Sequence, residues 1–232
     1  STTAINAYVM PVIRSYLERM RHDLDQANIA APLLLMQSSG GLMSDRTATK
    51  RPCHVIESGP AGGVVGAQAL SDIENIVTFD MGGTTAKAAL IEGGEVTRSQ
   101  QYSVNAGIMI GSRLLTGAGY LLKTPAIDIA EVGAGGGSQI WIDAGGSMQV
   151  GPESAGAKPG PLVYDLGGTE PTVTDINVLL GYLNPNHLVG GALPLNPAKA
   201  EAVFAELIAR PLGLDMAQAA YGAHLIAAAN MI

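Results

Sequence analysis

The spacing of apolar residues changes period along the chain, and the changes mark its elements. Ile5, Val9, Val12, Ile13, Tyr16, Leu17, Met20 and Leu24 recur at helical intervals, which predicts a long amphipathic helix with Ser1, Thr2 and Thr3 available to cap it. Pro11 falls inside that run and predicts a kink, or a start nearer residue 11, because proline brings no N–H and crowds the preceding turn. Residues 33–37, after Pro32, read as a short buried strand, and Ser38-Ser39-Gly40-Gly41 as a loop, either a plain connector or one facing a ligand. Residues 54–70 carry Glu57 up to Gly59-Pro60 and into a helix of very small residues, whose Gly62, Gly63, Gly66 and Ala67 predict close approach by another element.

From residue 76 the period shortens to that of strands. Ile76, Val77 and Phe79 predict a buried strand, and 88–91 with 95–104 predict a hairpin about Gly93-Gly94. Residues 105–126 have no assignable period. Residues 127–132 alternate apolar and acidic positions before a glycine loop at 133–138, and 140–143 pairs with 148–150 across Ala144-Gly145-Gly146. Trp141 reads as a packing residue. Residues 151–171 hold little regular structure. A helix then runs from about 172 to 182 with Thr174 or Asp175 as cap, and another from Asn196-Pro197 to about 209, where Pro211 stops it. Asp215 caps a last helix whose rhythm, through Tyr221, Leu225, Ile226, Met231 and Ile232, persists to the final residue and predicts a chain cut inside a helix.

Composition narrows the possibilities. The 232 residues are 47% hydrophobic, enough for one large core or two small ones. A net charge of −7 without a basic cluster argues against nucleic acid, so a bound nucleotide would be held by backbone amides and a metal. The single cysteine excludes an internal disulfide and a cysteine-built zinc site, which fits a reducing, cytoplasmic setting. No apolar run is long enough to span a bilayer, so no membrane partner is expected.

The candidate chemistry centres on residues 76–91, IVTFDMGGTTAKAALI, read as strand, phosphate-holding turn, strand. Gly82 and Gly83 lack a Cβ and permit positive φ or close approach of N–H groups to a phosphate. Thr84 and Thr85 add hydroxyls, and Asp80 offers an oxygen ligand for Mg²⁺. On spacing alone the stretch serves equally well as an ordinary hairpin turn, and Glu57 as a solvated carboxylate ahead of a helix.

Four blocks together resemble the hydantoinase/oxoprolinase family, in particular its ATP-dependent subunit of the N-methylhydantoinase A type: ESGPAGGVVGA at 57–67, FDMGGTTAKAALI at 79–91, VGAGGGSQIWIDAGG at 132–146 and VGPESAGAKPGPLVYDLGGTEPTVTDINVLLGYL at 150–183. The resemblance implies an α/β fold of the ribonuclease-H-like kind shared by actin, sugar kinases and heat-shock chaperone ATPases, with a mixed sheet and flanking helices. The chain would be one domain over residues 1–232, an incomplete second half whose flanking parts lie on either side. It implies ATP and Mg²⁺ as cofactors, with Asp80, Gly82, Gly83, Thr84 and Thr85 near phosphates and metal, and Glu57 positioning the metal-bound water or attacking group. Gly135, Gly136, Glu153, Glu170, Thr172 and Asp175 are candidates for the substrate side, or alternatively caps and loop anchors.

The activity implied is ATP-dependent hydrolysis of a cyclic amide such as hydantoin or 5-oxoproline, with a second hydantoinase-type subunit or domain as partner. An acetone-type carboxylase subunit and a non-catalytic fragment are the alternatives. Many relatives carry Thr-Asp where this chain has Ala86-Lys87, which puts a cation in place of a carboxylate.

Overall fold

The computed structural model describes residues 2–104, 119–186 and 188–232, which belong to two compact units, one of residues 1–80 and 87–131 and one of residues 81–86 and 132–232. Both mix helices with short strands, so the α/β class that the resemblance implies is observed. Ser1, one of the expected cap residues, and most of the unassigned stretch at 105–126 lie outside the described residues.

The first unit opens with helix α1 (Thr2–Gln26). It turns Ile5, Val9, Ile13, Leu17, Met20 and Leu24 inward, whereas Val12 and Tyr16, expected in the same stripe, are exposed. Each is one position, about 100°, off the Ile13 and Leu17 line, beyond the reach of a narrow contact. Pro11 neither stops nor delays the helix. The carbonyl deprived of a partner is that of Ala7, and both residues are exposed, so water can satisfy it.

Strands β1 (Leu34–Met36) and β2 (Leu42–Ser44) pair antiparallel, and α2 (Asp45–Lys50) starts at Ser44, whose hydroxyl accepts from the Thr47 amide. Leu17, Met43 and Ala48 form a small core there.

Helix α3 (Ser58–Leu70) precedes β3 (Ile76–Met81), β4 (Ala86–Glu92) and β5 (Glu95–Val96). The turn at Gly93-Gly94 has φ of 59° and 78°, the left-handed pair a two-residue hairpin requires, and pairs Ile91 with Val96. The return strand breaks after Val96 into β6 (Arg98–Ser99) and β7 (Tyr102–Val104), which pair with β9 (Ala126–Ile127) and β8 (Tyr120–Leu122). At that break Arg98 reaches the Ser39 carbonyl at 3.2 Å.

Strand β10 (Ile129–Val132) completes a sheet in the order β10-β4-β3. Ala61 and Val64 of α3 pack on Ala89, Ile91, Val96 and Ile127. Among the described residues strand β3 is therefore an edge, not the buried strand expected: Ile76 and Thr78 face inward, while Val77 and Phe79 are 69% and 56% exposed. Nor are the glycines of α3 closely packed. A Cβ added at Gly62 meets only Met36, at 3.7 Å, and one at Gly59, Gly63 or Gly66 meets nothing within 4 Å.

In the second unit, β11 (Ser138–Ile142) and β12 (Met148–Ser154) form the expected hairpin. Its turn is organised by Asp143, whose Oδ1 accepts from the Gly145 and Ser147 amides at 2.9 Å each. Trp141 donates its Nε1–H to the Gly151 carbonyl at 2.8 Å.

Helix α4 (Val173–Leu179) is capped by Thr172 rather than by Thr174 or Asp175. Thr172 and Asp175 stand three apart and make a reciprocal capping box, which puts the acid at the third helical position. Helix α5 (Pro197–Phe204) starts at the expected Asn196 cap.

Pro211 does not end that helix. Residues 205–209 widen into a π turn, which relieves the clash between a proline ring and the carbonyl four residues back, and α6 (Arg210–Leu212) follows. Gly213, at φ 65°, makes the stop. Asp215 caps α7 (Met216–Ala229), and Asn230 closes it, so Met231 and Ile232 lie past the last helical residue. Ile140, Val150, Val173, Ile176, Phe204, Ile208 and the alanine face of α7 form the core. Among the described residues no helix is long and apolar enough to cross a membrane.

Asp175 ties this unit together. It is fully buried and accepts from the Leu162 amide at 3.2 Å, the Val163 amide at 2.8 Å, and the amide and hydroxyl of Thr172, each at 2.7 Å. Burial nevertheless outweighs these donors and leaves its carboxyl above the ordinary range. Asp175→Asn puts an NH₂ group against donors and is expected to destabilise the unit by about 3 kcal/mol. Glu170→Gln, at an exposed position, should stay within about 0.5 kcal/mol. Urea unfolding checks both.

Candidate functional site

Residues 82–85 close on themselves through the Gly82 amide, which donates to the Thr85 carbonyl at 2.9 Å. They are held from outside by the glycine loop. The Gly136 amide donates to the Gly82 carbonyl at 3.0 Å and the Gly137 amide to the Gly83 carbonyl at 2.6 Å.

Such proximity excludes side chains. A Cβ on Gly135 would lie 2.7 Å from the Thr84 carbonyl carbon, one on Gly136 2.7 Å from Thr174 Oγ1, and one on Gly137 2.9 Å from the Gly83 oxygen. The loop is itself anchored: the Thr174 amide and hydroxyl donate to the Gly136 carbonyl at 2.7 and 2.8 Å, and the Ala155 amide to the Gly137 carbonyl at 2.8 Å. The object held by the glycine loop is thus the turn itself.

Gly82 and Gly83 do not adopt positive φ, and a Cβ at Gly82 would meet the Thr85 carbonyl oxygen at 3.5 Å, an ordinary contact; the close backbone approach that excludes a Cβ is at Gly135, Gly136 and Gly137. On its other side the tip is open. Gly82, Gly83 and Thr84 are exposed, and a Cβ at Gly83 would meet nothing within 4 Å.

In the first unit, Asp80 near the end of β3 and Lys87 on β4 lie at the polar end of a cleft of about 210 Å³, walled by Pro60, Gly63, Val64 and Ala67 of α3. The open glycine face of α3 is what leaves this space. Asp80 is exposed. Among the described residues no group of three or more His, Cys, Asp or Glu side chains is placed to hold a metal. A single carboxylate suits Mg²⁺ only where phosphate oxygens and water complete the shell, the usual arrangement for a nucleotide-bound ion.

Glu57 sits at the N-cap of α3 without capping it. Its backbone is left-handed, φ 63° and ψ 20°, a conformation that costs a non-glycine residue about 1–2 kcal/mol. The side chain turns instead toward Lys87, whose Nζ lies 3.9 Å from Glu57 Oε2 and 2.8 Å from Glu131 Oε1. The three side chains are 15–30% exposed. Burial pushes the Glu57 carboxyl up, Lys87 pulls it down and Glu131 raises it again, with a net rise. The preceding carbonyl, of Ile56, receives the Ser38 hydroxyl and, at 3.5 Å, that of Tyr102. Burial likewise pushes the Tyr102 phenol up.

The other predicted residues separate by role. Thr172 and Asp175 form the buried capping box described above, and Gly135 and Gly136 belong to the loop that holds the turn. Glu153 and Glu170 are exposed and join neither cluster. Glu131 and Tyr102 are absent from the sequence-derived list. A signal for Glu131 existed: strict alternation from Ile127 through Ile129 puts residue 131 on the same inward face, so a carboxylate there needs a partner. Tyr102 carries no comparable signal.

A family model described as Hydantoinase/oxoprolinase matches residues 1–232. The caprolactamase subunit alpha of Pseudomonas jessenii is 40% identical over 226 residues, which are 96% of this chain and 30% of that protein. The 5-oxoprolinase 1 of Arabidopsis thaliana is 37% identical over 194 residues, 80% of this chain and 14% of that one. Among solved structures, a nucleotide-free acetone carboxylase, described as carrying out ATP-dependent acetone carboxylation, superposes with a TM-score of 0.73 at 32% identity, covering 90% of this chain and 28% of its own. The chain spans about a third or less of the length of the relatives it matches. It belongs to the hydantoinase/oxoprolinase family.

Proposed function

We infer that the protein containing this chain is an ATP-dependent amidohydrolase that opens a cyclic amide ring of the hydantoin, 5-oxoproline or lactam type, working with a second subunit or domain. The observation that carries the reading is the pinned glycine turn at 82–85, open on its outer side, in a chain whose relatives include caprolactamase and 5-oxoprolinase. The name "subunit alpha" of the caprolactamase supports the second component. The likeness to an enzyme of ATP-dependent acetone carboxylation supports ATP, and the sheet with α3 upon it is compatible with a ribonuclease-H-like unit.

ATP would supply the phosphoryl group that, carried on the amide oxygen, opens the ring carbon to attack by water; the ring C–N bond would then break with the nitrogen taking up a proton, and phosphate would leave from the resulting acyl phosphate. The turn at 82–85 offers backbone and threonine hydroxyl groups to phosphate oxygens, already fixed in shape, so little ordering is left for binding. Asp80 offers one carboxylate to Mg²⁺. Glu57, poised beside Lys87, holds or takes up the proton of attacking water. Rate acceleration here is chiefly positioning and charge stabilisation. The acetone carboxylase likeness also favours a second reading, phosphorylation of a ketone enolate or bicarbonate before carbon–carbon bond formation. Substrate-dependent ATP hydrolysis by the full-length protein and its partner separates the two, with hydantoin, 5-oxoproline and caprolactam set against acetone plus bicarbonate.

Asp80→Asn is expected to lower that turnover by about 10²-fold or more while leaving the exposed position neutral for stability. Wild-type turnover in this variant would overturn the assignment. The glycines provide a paired test. Gly83→Ala, whose methyl group meets no protein atom, should leave unfolding unchanged within about 0.5 kcal/mol yet weaken Mg-ATP binding about tenfold or more. Gly135→Ala forces the turn away from the loop and should cost about 1–3 kcal/mol of stability as well as turnover. Calorimetric titration with Mg-ATP beside urea unfolding distinguishes the two patterns, and unchanged nucleotide affinity in Gly83→Ala would count against a phosphate-holding tip.

A further inference from the structure

Next to the Glu57–Lys87–Glu131 cluster lies a second, much smaller cavity of about 30 Å³, lined in part by Ser38, Glu57, Tyr102, Asp128 and Glu131. Its volume is that of one water molecule, and its walls offer the two to four polar partners a held water needs. Glu57, which lines it, has a left-handed backbone, a conformation the surroundings must impose. They do so at two points. Ser38 and Tyr102 hold the Ile56 carbonyl just before the turn, and Lys87 draws the carboxylate away from the helix N-terminus it would otherwise cap. Lys87 is held in turn from the neighbouring strand by Glu131.

We propose that Lys87 and Glu131 are positioning residues for Glu57: the lysine, fixed by Glu131, aims and charges the Glu57 carboxylate at the edge of this water-sized cavity, where it takes a proton from the attacking water. The role of the step rests on the amidohydrolase reading. As the water oxygen's lone pair bonds to the ring carbon of the phosphorylated amide, the displaced C=N π pair moves to the ring nitrogen and the water's proton passes to Glu57. A cation at 87 neutralises two carboxylates that would otherwise repel each other.

Among the described residues, the charged and titratable groups around Glu57 include Lys87 on β4, Glu131 on β10, Tyr102 on β7, Asp128 between β9 and β10, and Cys53, which bears on Tyr102. Lys87 and Glu131 act on Glu57 with opposite sign. Removing the cation therefore moves its titration to higher pH, and removing the second carboxylate moves it to lower pH. A merely structural lesion would not give opposed shifts.

The test uses the full-length protein with its partner in two measurements. The first, independent of turnover, follows the Glu57 carboxyl carbon by ¹³C NMR titration without nucleotide or metal. Lys87→Met should raise its midpoint by roughly one pH unit, Glu131→Gln should lower it, and Lys87→Arg should restore it. The second is the acidic limb of kcat for substrate-dependent ATP hydrolysis, which should follow the NMR midpoints in direction, with the KM for ATP unchanged within about twofold. Coincident or same-sign NMR shifts in Lys87→Met and Glu131→Gln overturn the coupling whatever the enzyme's substrate. Opposed NMR shifts with an unmoved limb in an active enzyme overturn the role of Glu57 as proton acceptor and leave the amidohydrolase reading intact. A wild-type protein that titrates as expected but hydrolyses ATP with no cyclic amide overturns that reading, and with it the assigned step, while the electrostatic coupling stands.

Discussion

Two backbone hydrogen bonds, from the amides of Gly136 and Gly137 to the carbonyls of Gly82 and Gly83, fix the shape of the turn on which the proposed chemistry depends. The turn has little means of holding itself. Its first three residues are exposed and contribute almost nothing to a core, and its one internal bond, Gly82 to Thr85, closes the loop without orienting it. The orientation comes from behind, through contacts that each depend on the next. Asp175 and Thr172 fix the first turn of α4, Thr174 in that turn holds the Gly136 carbonyl, and the Gly136 amide holds Gly82. A buried carboxylate with four donors thus stands at the root of a line of hydrogen bonds that ends at an exposed glycine tip. The value of such an arrangement lies in geometry more than stability, since a turn fixed before its ligand arrives loses little freedom on binding.

The same line explains the cluster of glycines at 135–137. Backbone packed directly on backbone leaves no room for a Cβ, and three successive residues face that constraint from three different neighbours: the Thr84 carbonyl carbon, the Thr174 hydroxyl and the Gly83 oxygen. Glycine here serves rigidity, although it usually signals freedom. A loop that would wander in isolation becomes the firmest support its neighbour has.

What was legible in the sequence was local. The Asn196 and Asp215 caps, the Gly93-Gly94 hairpin and the turn after residue 143 depend on residues a few positions apart, and all are found as read. What failed depended on distant partners. Ile76, Val77 and Phe79 have the composition of a buried strand, yet nothing in their own sequence tells how many neighbours the sheet provides, and among the described residues β3 has one. Pro211 reads as a stop because proline clashes within an α-helix, but a π turn just before it changes the register in which the clash would occur. Thr174 has the chemistry of a cap, and it loses that role to Thr172 because only a Thr two positions earlier can reciprocate with Asp175. At the site the division is the same. The glycine turn was visible as a motif, whereas Glu131 and Tyr102 matter only through what the fold brings against Glu57.

Glu57 shows why a local motif was insufficient there. Its place ahead of a small-residue helix suits an ordinary cap, for which an extended backbone and a side chain folded onto the helix amides would suffice. It has neither. The left-handed backbone costs about 1–2 kcal/mol, and the carboxylate forgoes the helix N-terminus, so both choices must be offset by what surrounds it. The lysine at 3.9 Å, the carbonyl held by Ser38 and Tyr102, and the partial burial that raises its proton affinity all come from other elements. A carboxylate held in a strained backbone, away from its easiest partner and beside room for one water, has the arrangement the proposed proton transfer requires, at the expense of local stability. That is the pattern by which strain concentrates where chemistry is done.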